Sequence, residues 1–393
     1  MLRVLTLATL FPNGLKPTLG GFVELQTRAL AARDGVEVEV VAPIGLPAWP
    51  LSLHPHYAPL NGLPREEVRN GLKVHRPRYR VWPMIGAAGT ARRMAHALLP
   101  VLRAIRTRFC FDVIDAEFFW PDGPAAMRLA RALDVPFSIK ARGSDIHVWG
   151  ARPATAAQIA AAGRAADGLL AVSGALRADM AALGMPEDKI RVHHTGIDLG
   201  RFRPAGRAAA KAALGVEGPL LVCAGALLAR KGQDLAIAAL GQLPGATLIL
   251  VGDGPDRARL EGLAKGARVR FLGNRPHAEL PGLLAAADVM VLPTVSEGLA
   301  NVWVEALACG TPVVTSDVGG AREVIDRPEA GRLVARDPAA IAGAVRDLLA
   351  VPPDQAAVRK GAERFSWEKN GAELFDHLQS IRHSRESGSP DNG

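Results

Sequence analysis

The chain has 393 residues, more than one hydrophobic core usually supports, so two domains of roughly 150–200 residues are the first expectation. Hydrophobic residues make up 49% and charged residues 22%, the profile of a soluble globular protein, and no stretch reaches the roughly 18 uninterrupted apolar residues of a membrane span. The net charge of +8 invites a nucleic-acid reading, but the arginines are scattered, no aromatics stack among them and no nucleic-acid motif is present; phosphate-bearing small molecules or an anionic membrane surface explain the charge equally well.

The opening "MLRVLTLATLF" is too short an apolar run for a signal peptide and reads as a first strand, so a cytoplasmic location is expected. In the first half the strand candidates are "LRVLTLAT", "VEVEVVAP", "FDVIDAE", "PFSIKARG", "GLLAVS" and "IRVHHTG". In the second they are "PLLVCAG", "ATLILVGDG", "VRFLG", "DVMVLPT" and "TPVVTSD". Ala-rich helical stretches separate them, which implies parallel sheets covered on both faces, with ligands just beyond the carboxyl ends of the strands. The series restarts near residue 219, after a polar, strand-poor linker at 200–218. Residues 43–71 are too proline-rich and long for an ordinary connection and read as a functional loop; its His54 and His56 lack a third ligand and read as solvated. The stretch "ARRMAHALLPVLRAIRTRF" (91–109) combines apolar spacing with arginines. It fits a helix packed on the first sheet with a solvated basic face, interrupted at Pro100, better than a membrane-surface helix. Cys110, Cys223 and Cys309 are too widely spaced for a disulfide framework or a metal ligand set and read as small core residues in a reducing compartment.

The chemistry concentrates in "DVMVLPTVSEGLANVWVEALACGTPVVTSD" (288–317), a strand, a loop, a helix and a second strand. Asn301 is placed to cap the helix, whose first amides have no internal partner and can receive negative oxygen. Gly298 lets backbone approach a ligand closely. Glu297 then stands just before that helix end and Glu305 about one turn inside it. Carboxylates are strong acceptors for hydroxyl pairs. A diphosphate flanked by two polyols would use all three features, with phosphate over the helix start and one glutamate on each polyol. The bland alternative is a Glu305 that reaches the surface and an incidental Glu297; the register of glycine, cap and following small-residue turn favours the ligand.

These residues resemble the E-x7-E signature of retaining glycosyltransferases of family 4. "GALLARKGQDLAIAAL", "VGDGPDRARLEGLA", "VRFLGNRP" and "DVMVLPTVSEG" resemble further elements of the same family, as do "PTLGGFVELQTRALA", "AVSGALRADM" and "HHTGIDLGRFRP" in the first half. The resemblance covers nearly the whole chain and is most specific over 219–325. It implies the α/β GT-B fold: two Rossmann-like domains with parallel sheets facing across a cleft and a C-terminal helix crossing back. The implied boundaries are 1–200 for an acceptor domain, 201–363 for a donor domain, 364–383 for the crossover helix and 384–393 for a disordered tail.

Carried over, the resemblance implies that Glu297 contacts the donor sugar's hydroxyls and Glu305 the ribose diol. Gly298, Leu299, Ala300 and Asn301 offer backbone amides, Arg230 and Lys231 bind the diphosphate, and Gly20 and Gly21 let the first domain close on the phosphates. Two positions depart from the family pattern. Ala226 follows Gly225 where an arginine is usual, and Arg142 in "KARGSDIHVW" stands where many members carry histidine. Arg142 is therefore assigned to phosphate or an anionic acceptor, and Asp145 and His147 to the acceptor side. No Asp-x-Asp metal motif occurs, so neither metal nor cofactor is expected. The implied partners are a UDP- or GDP-linked sugar and a saccharide or lipid-linked acceptor, with peripheral contact to the inner face of a membrane as a further expectation and no nucleic acid. The implied activity is hexosyl transfer in polysaccharide or glycolipid assembly. The rivals are a sugar-nucleotide epimerase of similar fold and a catalytically silent nucleotide-sugar-binding subunit.

Overall fold

A computed structural model describes residues 1–83 and 86–387. The chain divides into two compact units, unit 1 from Met1–Gly196 together with residues from Trp367 onward, and unit 2 from Ile197–Ser366.

Unit 1 contains strands β1 (Leu2–Leu7), β2 (Val36–Val41), β3 (Ile44–Leu46), β4 (Glu66–Arg69), β5 (Leu72–His75), β6 (Arg78–Arg80), β7 (Val113–Ala116), β8 (Phe137–Ala141), β9 (Gly168–Ala171) and β10 (Ile190–Val192). Eight form one sheet in the order β10-β9-β8-β7-β1-β2-β5-β4, while β3 pairs with β6 in a separate ribbon. All ladders of the large sheet are parallel except the edge pair β4–β5. Its central strands are buried without alternation, as a sheet covered on both faces requires. The helix Trp367–Ser387 completes this core. Its Leu374, Leu378 and Ile381 pack with Leu2, Val4, Leu30, Val113 and Leu170, and His377 meets the Ser138 hydroxyl at 2.8 Å.

Unit 2 contains β11 (Leu220–Ala224), β12 (Thr247–Val251), β13 (Val269–Gly273), β14 (Val289–Leu292), β15 (Val313–Ser316) and β16 (Gly331–Val334). They form one all-parallel sheet in the order β13-β12-β11-β14-β15-β16. Counted from β11 this is 3-2-1-4-5-6, the order typical of doubly wound nucleotide-binding sheets, with its switch point between β11 and β14.

Several expectations from sequence need correction. The segment 43–71 is not irregular throughout, because β3 and β4 lie at its two ends. The helix Thr90–Arg106 runs unbroken through Pro100. Its buried Met94, Leu98, Leu102 and Ile105 recur every three or four residues, and that packed face outweighs the one backbone bond a proline removes. The terminal helix begins at Trp367 and continues through residues 384–387, since the first four residues of the polar tail extend a helix already docked; residues 388–393 of the expected disordered tail lie outside the described residues. Cys110 is exposed rather than a core residue, whereas burial pushes the thiols of Cys223 and Cys309 up to about 12.

Candidate functional site

In unit 2 the loops leaving β11 and β14 flank the switch point and carry the chemistry. The first ends in a short turn, Ala229–Lys231, and the second runs from Pro293 to the start of the helix Asn301–Ala308. Backbone ties hold the two together: Val295 donates its N–H to the Arg230 carbonyl at 2.7 Å and the Thr294 hydroxyl donates to the same oxygen at 3.1 Å. The Arg230 guanidinium donates to the Ser296 carbonyl at 3.2 Å. As a result Lys231 Nζ reaches Glu297 Oε1, with Thr294 Oγ1 at 3.2 Å and Arg230 Nη1 at 3.6 Å from the same oxygen. The Lys231 and Glu297 side chains are each 13% exposed, so the pair is largely desolvated yet open on one side. Removing one member of such a pair leaves a costly uncompensated charge.

The Glu297 loop is backed by a turn at Gly319 and Gly320. Gly319 has φ +52°, and a Cβ there would lie 1.9 Å from the Glu297 carbonyl oxygen; Gly320 N–H donates to the Gly298 carbonyl at 2.8 Å. Only glycine allows so close an approach in that conformation. From the other side, Ser316 at the end of β15 donates its hydroxyl to the Thr294 carbonyl.

The helix Asn301–Ala308 starts differently from expectation. Ala300 occupies the N-cap, with no side-chain cap hydrogen bond, and Asn301 is the first helical residue. Its first-turn amides are therefore not served by a cap and point to where Gly298, Leu299 and Ala300 lead. Glu305 lies on this helix, buried, and its Oε1 is 2.8 Å from His277 Nε2. His277, half-exposed and 5.3 Å from the Phe202 ring, comes from the loop after β13. Gly225 directly follows β11, with φ +151°. The Gln233 side-chain amide donates to the Ala226 carbonyl at 2.9 Å.

Unit 1 presents a different arrangement at the carboxyl ends of its strands. Gly20, at φ +65°, ends the loop after β1; a Cβ there would sit 2.1 Å from the Leu10 carbonyl oxygen, and Gly21 opens the helix Gly21–Ala31. Arg142, just past β8, is an internal ligand. Its guanidinium pairs with Glu117, reaches Gln26 Oε1 at 3.2 Å and lies 4.9 Å from the Phe22 ring centroid. Gln26 in turn donates to Glu117 and accepts from the Lys140 ammonium, which also meets His193 Nδ1. His193 Nε2 faces the Asn370 carbonyl at 2.9 Å, so the ring carries its proton there. Asp145 accepts the backbone N–H groups of Phe119, Arg142 and Gly143 at 2.8–3.0 Å and so fixes the turn that carries Arg142. His147 lies on the surface, 2.8 Å from Asp179.

Burial governs the charges of this network. It holds the Lys140 ammonium well below the usual lysine range, helped by Arg142, and His193 well below the usual histidine range, helped by Lys140. Burial and then Glu117 hold the Asp115 carboxyl well above the carboxylate range. Burial likewise raises Asp122 to about 7 against the Thr9 N–H that it accepts at 2.9 Å. Among the described residues no group of three His, Cys, Asp or Glu side chains is placed to hold a metal ion.

Comparison with known proteins identifies the family and the fold. The sequence profile described as Glycosyltransferase Family 4 matches residues 22–201, and that described as Glycosyl transferases group 1 matches residues 218–351. A Bacillus subtilis (strain 168) protein, provisionally named as a teichuronic acid biosynthesis glycosyltransferase, is 32% identical over 332 residues, 81% of this chain and 82% of its own. A Mycolicibacterium smegmatis protein named as a GDP-mannose-dependent alpha-(1-6)-phosphatidylinositol monomannoside mannosyltransferase is 33% identical over 263 residues, 61% of this chain and 69% of its own. The Anabaena protein HepE, solved in complex with UDP-glucose, superposes with a TM-score of 0.72 at 20% identity, over 97% of this chain and all of that one. The fold is thus GT-B, with two Rossmann-like domains, and the chain belongs to glycosyltransferase family 4.

Proposed function

We propose that this glycosyltransferase transfers a hexose, with retention, from a nucleoside-diphosphate sugar to an acceptor hydroxyl in polysaccharide or glycolipid assembly. The observation that carries the reading is the Lys231–Glu297 pair at the unit 2 switch point, next to an uncapped helix start and 13% exposed on each side. In this reading the donor separates the pair. Glu297 turns to the sugar hydroxyls, and Lys231 and Arg230 meet the diphosphate together with the amides of Gly298, Leu299, Ala300 and Asn301. Glu305 exchanges its contact with His277 for the ribose diol. Cations and amides of the chain take up the charge of the leaving diphosphate, and the leaving phosphate accepts the acceptor's proton. The complex of HepE with UDP-glucose and the GDP-mannose dependence in the name of the Mycolicibacterium relative support a UDP- or GDP-linked donor. The phosphatidylinositol monomannoside in the name of the same relative and the teichuronic acid biosynthesis in the name of the Bacillus relative support the acceptor classes.

Thermal shifts with UDP-, GDP- and ADP-sugars, followed by transfer or donor hydrolysis assays, test the reading. The preferred donor raises the melting temperature, and Lys231→Ala and Glu297→Gln each lower turnover by roughly 10²–10³-fold. Tight donor binding without turnover under any acceptor would instead identify a silent nucleotide-sugar-binding subunit.

A further inference from the structure

The positive charge of this chain is concentrated in one stretch. Residues 68–111 contain ten lysines and arginines and no acid, so the remainder is close to neutral. Part of that stretch lines an open cavity of about 900 Å³ in unit 1, between the 46–65 segment, β6 and the helix Thr90–Arg106. The ribbon β3–β6 continues from the carboxyl ends of β2 and β5, so the cavity lies at the ligand-binding end of the sheet. Arg65, Arg78, Arg80, Arg92, Arg93 and His96 form its basic wall, and no carboxylate lines it among the described residues.

These cations meet neutral acceptors or none. Arg78 donates to the carbonyls of Arg76 and Leu63, Arg80 to that of Pro47 at 3.1 Å, and Arg93 to those of Arg80 and Gly86 at 3.0 and 2.7 Å. Arg65, Arg92 and His96 form no ion pair among the described residues, whereas Arg69, Arg76 and Arg108, outside the cavity, each pair with a glutamate. Burial, then the like charges of Arg65 and Arg76, push the Arg78 guanidinium below its ordinary range. At the rim stand Trp49, 76% exposed, and Trp82, 57% exposed and lying 4.7 Å from the Arg93 guanidinium. Leu51 and Leu53 next to Trp49 are also exposed.

We infer that this cavity binds a multiply charged phosphate group, the phosphorylated part of the acceptor, with Trp49, Trp82 and their neighbouring leucines covering the moiety that carries it. A carboxylate would neutralise one guanidinium, whereas a phosphate or diphosphate offers several oxygens to the planar fork geometry of arginine. Calling the ligand an acceptor rests on the transfer reading above; placing phosphate in the cavity does not.

The test uses the full chain carrying Lys231→Ala, which weakens the diphosphate contact in unit 2, and titrates inorganic pyrophosphate by calorimetry. Adding Arg65→Glu and Arg92→Glu, both exposed, raises the dissociation constant at least about tenfold. The charge-matched control Arg128→Glu with Arg131→Glu, on another helix of the unit, changes it less than about twofold. Sedimentation with phosphatidylglycerol against phosphatidylcholine vesicles identifies the source. Arg65- and Arg92-dependent binding to the former, displaced by pyrophosphate, assigns the phosphate to a lipid headgroup; pyrophosphate binding without vesicle binding assigns it to a soluble phosphorylated ligand. Equal affinity in the reversed and unreversed chains, an equal loss in the control, or tighter binding of glucuronate than of pyrophosphate overturns the proposal. Because donor thermal shifts in the chain carrying only Arg65→Glu and Arg92→Glu read unit 2 with the cavity disabled, failure of the cavity and failure of the transfer reading are distinguishable.

Discussion

At the carboxyl end of the unit 2 sheet, Lys231 and Glu297 meet through one side-chain contact and each keeps part of its surface in solvent. At the corresponding end of the unit 1 sheet, Arg142, Glu117, Gln26, Lys140 and His193 are interlocked, with the Arg142 and Glu117 side chains 7% and 1% exposed. Both places hold an opposite-charge pair at the end of a doubly wound sheet, yet one keeps part of both side chains in solvent while the other is almost fully enclosed. The contrast suggests that charge at a strand end is insufficient to mark a binding group. What matters is whether its present partners can be exchanged, and buried networks with every member engaged cannot do so cheaply.

The largest effect should come from opening the unit 1 network. Arg142→Ala leaves Glu117 buried without its cation, and urea unfolding should show a loss of roughly 3–5 kcal/mol, partly restored by lysine. A loss below about 1 kcal/mol would break the comparison and return Arg142 to the pool of ligand-binding groups.

Next comes the buried Asp122 of the same unit, whose carboxyl is raised to about 7 by burial. The native chain holds that proton between pH 4 and 7 while the unfolded chain releases it, so this group's stabilising contribution is complete below about pH 4 and is lost as pH rises through 7. The limit of the effect is about 4 kcal/mol. Asp122→Asn keeps an acceptor for Thr9 and should flatten the urea midpoint between pH 4.5 and 7.5 relative to wild type. An unchanged slope would show that Asp122 does not titrate in that range.

A smaller effect tests the open side. Gly319→Ala forces a Cβ against the Glu297 carbonyl and should cost about 1–3 kcal/mol in unit 2, with a rise in donor KM and no change in unit 1. If donor KM is unaffected, the turn does not position Glu297, and the site is less constrained than the contrast requires.

Much of this architecture is legible in the sequence because continuous, mostly apolar runs such as "LLVCA" and "TLILV" mark buried parallel strands without any knowledge of the fold. Strands that lack such runs are not legible in this way. Glu66–Arg69 is a half-exposed antiparallel edge rich in charge, and Gly331–Val334 is short and opens on glycine. Glu297 and Glu305 are readable because both lie within one local strand–loop–helix pattern, and Arg230-Lys231 because they close a second one. His277 and Gly319 are not, since their meaning depends on contacts 28 and 22 positions away, to Glu305 and Glu297 respectively. Arg142 shows the converse. Its place after a strand end is evident from sequence, but its partners Gln26 and Glu117 come from separate elements, and only the folded sheet reveals that they already occupy it.

Ile197 bridges Ser366 in parallel, its N–H bonded to the Phe365 carbonyl at 2.7 Å, so the first and last residues of unit 2 lie side by side. A segment whose ends meet in this way is a cassette. It can be exchanged between relatives at two adjacent junctions, and on the donor-binding reading proposed above, selectivity could diversify by wholesale replacement while the host that carries both flanking stretches stays unaltered.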